Sequence, residues 1–185
     1  MAGRESFELI LSAAQAGDGH AFAWLYESLN RRVRAYVSYR GAADPEGMVN
    51  DVFLRVFTRL TTFHGGETQF AAWVFTIARN MLIDEARHRD RRRVGVAPPG
   101  LDGAGESIGD VEAEALARLG DDWVVEQLGR LTPDQRDVIV LRVVGDLTVE
   151  NVAEVLGKGV GAVKAMQRRA LRSLARNSQL EAVPK

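Results

Sequence analysis

The chain has 185 residues, 46% of them hydrophobic and 26% charged, which is ordinary for a globular protein and leaves room for one large or two small domains. Lys and Arg (24) nearly balance Asp and Glu (25), and a net charge of −1 excludes a protein that coats nucleic acid indiscriminately. Cysteine is absent, which excludes disulfides, thiolate metal sites, cysteine nucleophiles and a thiol redox sensor.

Phe7, Leu9, Ile10, Ala13 and Ala14 predict a short first helix ending near Gly17. Asp18 is placed to cap a second helix that carries Phe22, Leu25, Tyr26, Leu29, Val33, Tyr36 and Val37 at helical spacing. Trp24 and Tyr26 lie in that stretch as core or surface residues, not as cofactor ligands. Asp44-Pro45 opens a third helix, a cap followed by proline in the first turn, with Val49, Val52, Phe53, Val56, Phe57 and Leu60 as its apolar stripe. Two consecutive glycines break the chain between Phe63 and Gln69. A fourth helix starts at Phe70 and buries Phe70, Trp73, Val74, Ile77, Met81 and Leu82; Arg79, Arg87, Arg89, Arg91, Arg92 and Arg93 make its end strongly basic. Four helices without a strand pattern predict an all-α first domain over residues 1–94.

From Val94 the composition turns to Gly, Pro and acid, and no Lys or Arg occurs between Arg93 and Arg118. Residues 95–119 read as an acidic, flexible linker, with a helical stub from Val111. A second small helical domain is placed at 120–177, with a tail at 178–185. Thr132-Pro133-Asp134-Gln135 is a capping box with proline at the first helical position, and the helix behind it packs Val138, Ile139, Leu141, Val143 and Val144.

Thr148 to Arg176 organises this second half. A helix carrying Val149, Val152, Ala153, Val155 and Leu156 stops at Gly157, a residue suited to a left-handed cap. A second helix follows with Val160, Val163, Ala170, Leu171 and Leu174 on its inner side. Lys164, Arg168 and Arg172 recur every four residues and share one face, flanked by Arg169 and Arg176, and no acidic residue occurs between Glu154 and Glu181. This is a helix-turn-helix with an uncompensated cationic face, of the shape and sign that enter a major groove. No catalytic chemistry accompanies it. His20, His64 and His88 are scattered, no Ser/His/Asp or metal-ligand spacing occurs, and the adjacent Asp84 and Glu85 diverge in direction. The expectation is a DNA-binding protein that is not an enzyme and takes no cofactor or small-molecule substrate. With no signal peptide pattern and no apolar run long enough for membrane insertion, a cytoplasmic location is expected.

Four blocks in order carry a family likeness: NDVFLRVFTRLTTF (50–63), FAAWVFTIARNMLIDEARHRDRR (70–92), LTPDQRDVIVLR (131–142) and the closing helix-turn-helix. In this arrangement the chain resembles the extracytoplasmic-function (group IV) sigma factors of bacterial RNA polymerase, in the sigma-70 family. It departs from the usual family pattern at three places. Asn50-Asp51 replaces a Gln-Glu pair, Asn151 stands where the helix-turn-helix usually has Glu, and Val163-Lys164-Ala165-Met166 replaces Val-Lys-Ser-Arg.

The resemblance implies a transcription initiation factor whose partners are core RNA polymerase and promoter DNA, and such factors are often held by an anti-sigma protein. It assigns Met48 to Arg59 to docking on the coiled-coil of the polymerase largest subunit, with Asn50, Asp51, Leu54, Arg55 and Arg59 as contacts. It assigns the loop at 63–70 and the following helix to the minus-ten element, with His64, Gln69, Arg79, Asn80, Arg87 and Arg91 as contacts. Lys164, Arg168, Arg169 and Arg172 would read the minus-35 element, with Arg136 on a phosphate. Elements about 16 base pairs apart lie roughly 55 Å apart along the duplex. A free linker of this length averages about 28 Å and reaches about 85 Å fully extended. Both elements can therefore be read together only if something holds the linker stretched, and the resemblance puts Asp102, Glu106, Asp110, Glu112 and Glu114 in the polymerase RNA path. The alternative is a free-standing helix-turn-helix regulator, which would grip a palindromic duplex tightly without polymerase.

Overall fold

The computed structural model describes residues 2–94 and 122–181. The elements are helices: α1 (Ala2–Gln15), α2 (Gly19–Tyr39), α3 (Pro45–Arg59), a 3-10 turn (Leu60–Thr62), α4 (Glu67–Val94), α5 (Asp122–Gly129), α6 (Pro133–Val143), α7 (Val149–Leu156) and α8 (Val160–Glu181). The all-α expectation holds. Val94 closes α4, and the linker at 95–119 with its stub from Val111 falls outside the described residues.

Local chemistry sets the helix starts. The Asp18 carboxylate accepts the N–H groups of His20 and Ala21 at 2.8 and 2.9 Å, and these bonds hold its pKa below the ordinary value. Asp44 accepts from the Gly47 N–H at 2.9 Å. Helix α4 starts three residues earlier than periodicity alone suggests. The Gln69 amide oxygen accepts the Gly66 N–H at 3.1 Å, which lets the first turn form at Glu67. At α6 the capping box is complete: the Gln135 N–H reaches Thr132 Oγ1 at 3.4 Å, and the Thr132 N–H reaches Gln135 Oε1 at 3.3 Å. Thr132→Ala should lower stability by about 1 kcal/mol, measured by urea unfolding; an unchanged midpoint would show that the cap is unused.

In the first half, Val33, Tyr36, Val37, Val52, Phe53, Phe70, Val74 and Phe75 are fully enclosed. Phe63 stacks on Trp73 with ring centres 5.0 Å apart and meets Phe70 edge-on at 5.4 Å, so Trp73 works as a core side chain. Gln15 fastens the loop after α3 by donating to the carbonyls of Leu60 and Phe63 at 2.9 and 2.8 Å.

Five expected core positions face outward instead. Leu9, Phe57, Val143, Val160 and Leu171 are exposed by 73, 40, 74, 36 and 51%. Each lies at the margin of a helical apolar stripe, where spacing alone does not fix which side the neighbouring element covers. Val140, not Val143, completes the buried face of α6.

The two halves close onto each other. Helix α7 packs along α4, and most buried apolar residues of both halves form one continuous cluster that runs from Phe7 to Met166, while Leu131, Ile139 and Ala170 form a second, smaller one.

Candidate nucleic-acid interface

The helix-turn-helix is built as its residues dictate. Thr148 Oγ1 accepts the Asn151 N–H at 3.1 Å and starts α7. Gly157 ends α7 at φ +63°, a left-handed conformation in which a side chain would be strained, and the Lys158 N–H closes the turn on the Ala153 carbonyl at 2.9 Å. Helix α8 then presents Val163, Met166 and Ala170 inward. Met166, at one of the departures from the family pattern, is a buried packing residue.

On the opposite side of α8, Lys164, Arg168 and Arg172 are exposed and line one shallow surface with Gln167, Leu171 and Ala175. Lys164 Nζ lies 3.8 Å from Glu150 Oε1, with both side chains largely in solvent, so the pair adds little to stability and leaves the ammonium available. Arg169, Arg172 and Arg176 line a neighbouring cleft with Gln135 at the start of α6. Leu171, expected inside, is the one large apolar side chain among the described residues lining the surface that Lys164 and Arg168 share. Arg136 is engaged differently from the expectation: it donates to the carbonyls of Leu128, Gly129 and Leu131 at 3.0, 3.1 and 3.3 Å and clasps the end of α5. A guanidinium used in this way is a structural brace.

In the first half, α3 turns Val49, Val52, Phe53 and Val56 inward and leaves Asn50, Asp51, Leu54, Arg55 and Arg59 together on its outer face. Leu54 is 59% exposed, and Phe57, packed on Phe22 of α2, extends the same apolar surface. Such a charged-rimmed apolar face is suited to a protein partner.

Of the six residues expected at the minus-ten element, five are exposed and Arg79 is half-buried. His64, Gln69, Asn80, Arg87 and Arg91 are exposed along α4 and the loop before it, but the Gln69 amide is occupied by the α4 start. Arg87 pairs loosely with Asp84 at 3.7 Å, and Arg91 Nη2 lies 3.1 Å from His88 Nδ1. Arg79 is half-buried and turned toward Asp137 of α6.

The junction between the halves holds polar groups that sequence reasoning did not find. Arg40 Nη1, at the end of α2, donates to Asp137 Oδ1 at 2.6 Å, and both side chains are largely enclosed, at 19 and 10% exposure. Burial pushes the Asp137 carboxyl above its ordinary pKa, while the Arg40 and Arg79 guanidiniums pull it back. Arg32 donates to the Gly145 carbonyl, and Asn151 Nδ2 donates to the Thr68 carbonyl at 2.8 Å. Asn151 thus stands in place of a reciprocal cap because its amide reaches across to the first half. Among the described residues no three His, Asp or Glu side chains group as a metal site, and no helix is long and apolar enough to cross a membrane.

Comparison with known proteins matches residues 25–92 to the family model "Sigma-70 region 2" and residues 121–174 to "Sigma-70, region 4". The ECF RNA polymerase sigma factor RpoE of Cereibacter sphaeroides is 32% identical over 162 residues, covering 83% of this chain and 84% of that protein. The ECF RNA polymerase sigma factor BldN of Streptomyces coelicolor is 36% identical over 169 residues; the match takes in 90% of this chain but only 64% of BldN. Among solved structures, CnrH in complex with the cytosolic domain of CnrY superposes with a TM-score of 0.60 at 24% identity, covering 95% of this chain and 99% of that one.

Proposed function

The chain belongs to the extracytoplasmic-function sigma factors of the sigma-70 family, and from that premise we propose how its surfaces direct RNA polymerase to promoters. The observation that carries the reading is the sorting of exposed charge onto two separate helix faces, α8 and α3. Lys164, Arg168, Arg169 and Arg172 take the minus-35 element, arginine by forked hydrogen bonds to guanine and Leu171 by contact with thymine methyls. Arg136 drops out of this set because its donors serve α5. Asn50, Asp51, Leu54, Arg55 and Arg59 dock on the largest-subunit coiled-coil, and Phe57 extends that surface. His64, Asn80, Arg87 and Arg91 serve the minus-ten element directly, while Gln69 and Arg79 reach it once their present partners release them. The work is non-enzymatic and takes place where the polymerase is, in the cytoplasm. A further partner is an anti-sigma protein; CnrH was solved in complex with the cytosolic domain of CnrY.

Core polymerase supplied with this protein should start transcripts at a defined set of promoters carrying both elements. Promoter-independent transcription, or tight binding of a palindromic duplex without core, would overturn the reading. Replacing Asp51 and Arg55 by alanine should weaken binding to core about tenfold, or ~1.4 kcal/mol, in a fluorescence titration. Unchanged affinity would remove α3 from the docking face.

A further inference from the structure

Helix α8 carries two cationic surfaces of different make-up. Around Lys164, Arg168 and Arg172 the surface also contains Gln167, Leu171 and Ala175, so charged, amide and apolar groups are mixed. The neighbouring cleft is lined by Arg169, Arg172, Ser173 and Arg176 of α8 and by Gln135 at the start of α6. Its polar groups are mainly donors. Gln135 Oε1 already accepts the Thr132 N–H at 3.3 Å, which leaves the Nε2 hydrogens to donate. No acidic residue occurs between Glu154 and Glu181, and Asp134, next to Gln135 in the chain, is taken by Lys158 Nζ at 2.9 Å. Among the described residues no carboxylate pairs with Arg169, Arg172 or Arg176, whereas Lys164 has Glu150 at 3.8 Å. Forked guanidiniums gathered without a counter-charge suit an anion, and their planar donor geometry matches a phosphate.

The place of the cleft on the helix says where that phosphate comes from. An α-helix with its side chains is about 10–12 Å across, and the major groove is about 12 Å wide. A helix that enters the groove therefore fills it. The line opposite its buried side meets base edges, and its flanks meet the backbone walls. Val163, Met166 and Ala170 mark the buried side of α8, and Arg168 lies opposite them in solvent. Arg169 and Arg176 stand roughly 80–100° round the helix from Arg168, on the flank that shares the cleft with Gln135.

We propose that this cleft seats one backbone phosphate of the promoter duplex, gripped by Arg169 and Arg176 with Gln135 and Ser173, while Arg168 reads base edges beside it. The proposal rests on the promoter-reading function given above and divides its cations between two tasks. Arg169 and Arg176 fix where α8 sits in the groove, and Arg168 supplies discrimination. Because Gln135 belongs to α6, two helices hold the same phosphate, and the grip also sets the angle at which α8 enters.

The test uses the full chain loaded on core polymerase, with a duplex fragment of a promoter found by the initiation assay as the probe. Replacing Arg169 and Arg176 together by alanine should weaken binding about tenfold, by the same factor for the parent minus-35 element and for every single-base-pair variant of it. The log-log salt slope should become shallower by about one unit, the share of one phosphate. Arg169→Lys with Arg176→Lys should restore the slope, since a point charge still neutralises a phosphate. Arg168→Ala should instead flatten discrimination at one or two base pairs, by roughly tenfold. A methylphosphonate linkage, which removes the charge of a single phosphate, locates the seat: at one linkage it should weaken the parent and leave the double alanine variant unaffected. Both arginines are exposed, and circular dichroism checks that each variant keeps its helix content. Discrimination lost at a particular base pair in the double alanine variant, or affinity and slope both unchanged, would overturn the seat. The free chain on a duplex of unrelated sequence at low salt gives a reading that needs no promoter, and there too the double alanine variant should flatten the slope by about one unit. That flattening without promoter-dependent initiation would count against the function alone, and normal initiation without it against the seat alone.

Discussion

Replacing Lys164, Arg168 and Arg172 together by alanine is expected to reduce promoter-dependent initiation by at least ~100-fold while leaving affinity for core within about twofold. Each forked arginine contact to a base is worth about 1–3 kcal/mol of discrimination, and each phosphate neutralised releases counterions, so the effects accumulate. The three side chains are exposed and the opposite face of α8 is buried through Val163, Met166 and Ala170, so the substitutions should not disturb the fold. Arg168→Ala alone should cost about tenfold. The salt dependence of promoter binding by the loaded polymerase should also become shallower, by roughly one unit of log-log slope for each phosphate that is no longer neutralised. Equal reductions in core binding and in initiation would mean that the face is structural.

Phe75→Ala should destabilise the protein by about 3–5 kcal/mol. Phe75 is fully enclosed at the centre of α4 and meets Tyr36 of α2 edge-on, with ring centres 5.4 Å apart. Truncation removes the ring's packing against both helices and leaves a cavity that packed helices fill only in part. Against a total stability of ~5–15 kcal/mol for a typical domain, that is a large fraction. A thermal melt followed by circular dichroism should shift down by more than about 10 °C. A shift of a few degrees would show that α2 and α4 are not packed through this side chain.

The helix-turn-helix and its cationic face were legible because every determinant is local. Thr148, Gly157 and the four-residue recurrence of Lys164, Arg168 and Arg172 lie within one short stretch, and helical geometry alone brings those cations together. The exposed face of α3 proposed for docking was legible in the same way, because helical spacing turns Val49, Val52, Phe53 and Val56 inward and leaves Asn50, Asp51, Leu54, Arg55 and Arg59 outside. The bracing bonds of Arg136 were not legible because its charge is visible in sequence, whereas the three carbonyls that hold it depend on where α5 ends. Leu171 and Phe57 were misplaced because an apolar residue at the edge of a stripe can pack inward or serve a surface, and only the neighbouring helices decide which.

The amino-acid sequence by itself determined the helices, their caps and the sorting of charge, since these follow from interactions over a few residues. Tertiary structure alone decided the closure. Arg40 and Asp137 are 97 positions apart, Arg32 and Gly145 are 113 apart, and Thr68 and Asn151 are 83 apart. No periodicity spans such intervals. Whether a buried charge is tolerated depends on a partner that only the folded chain can deliver.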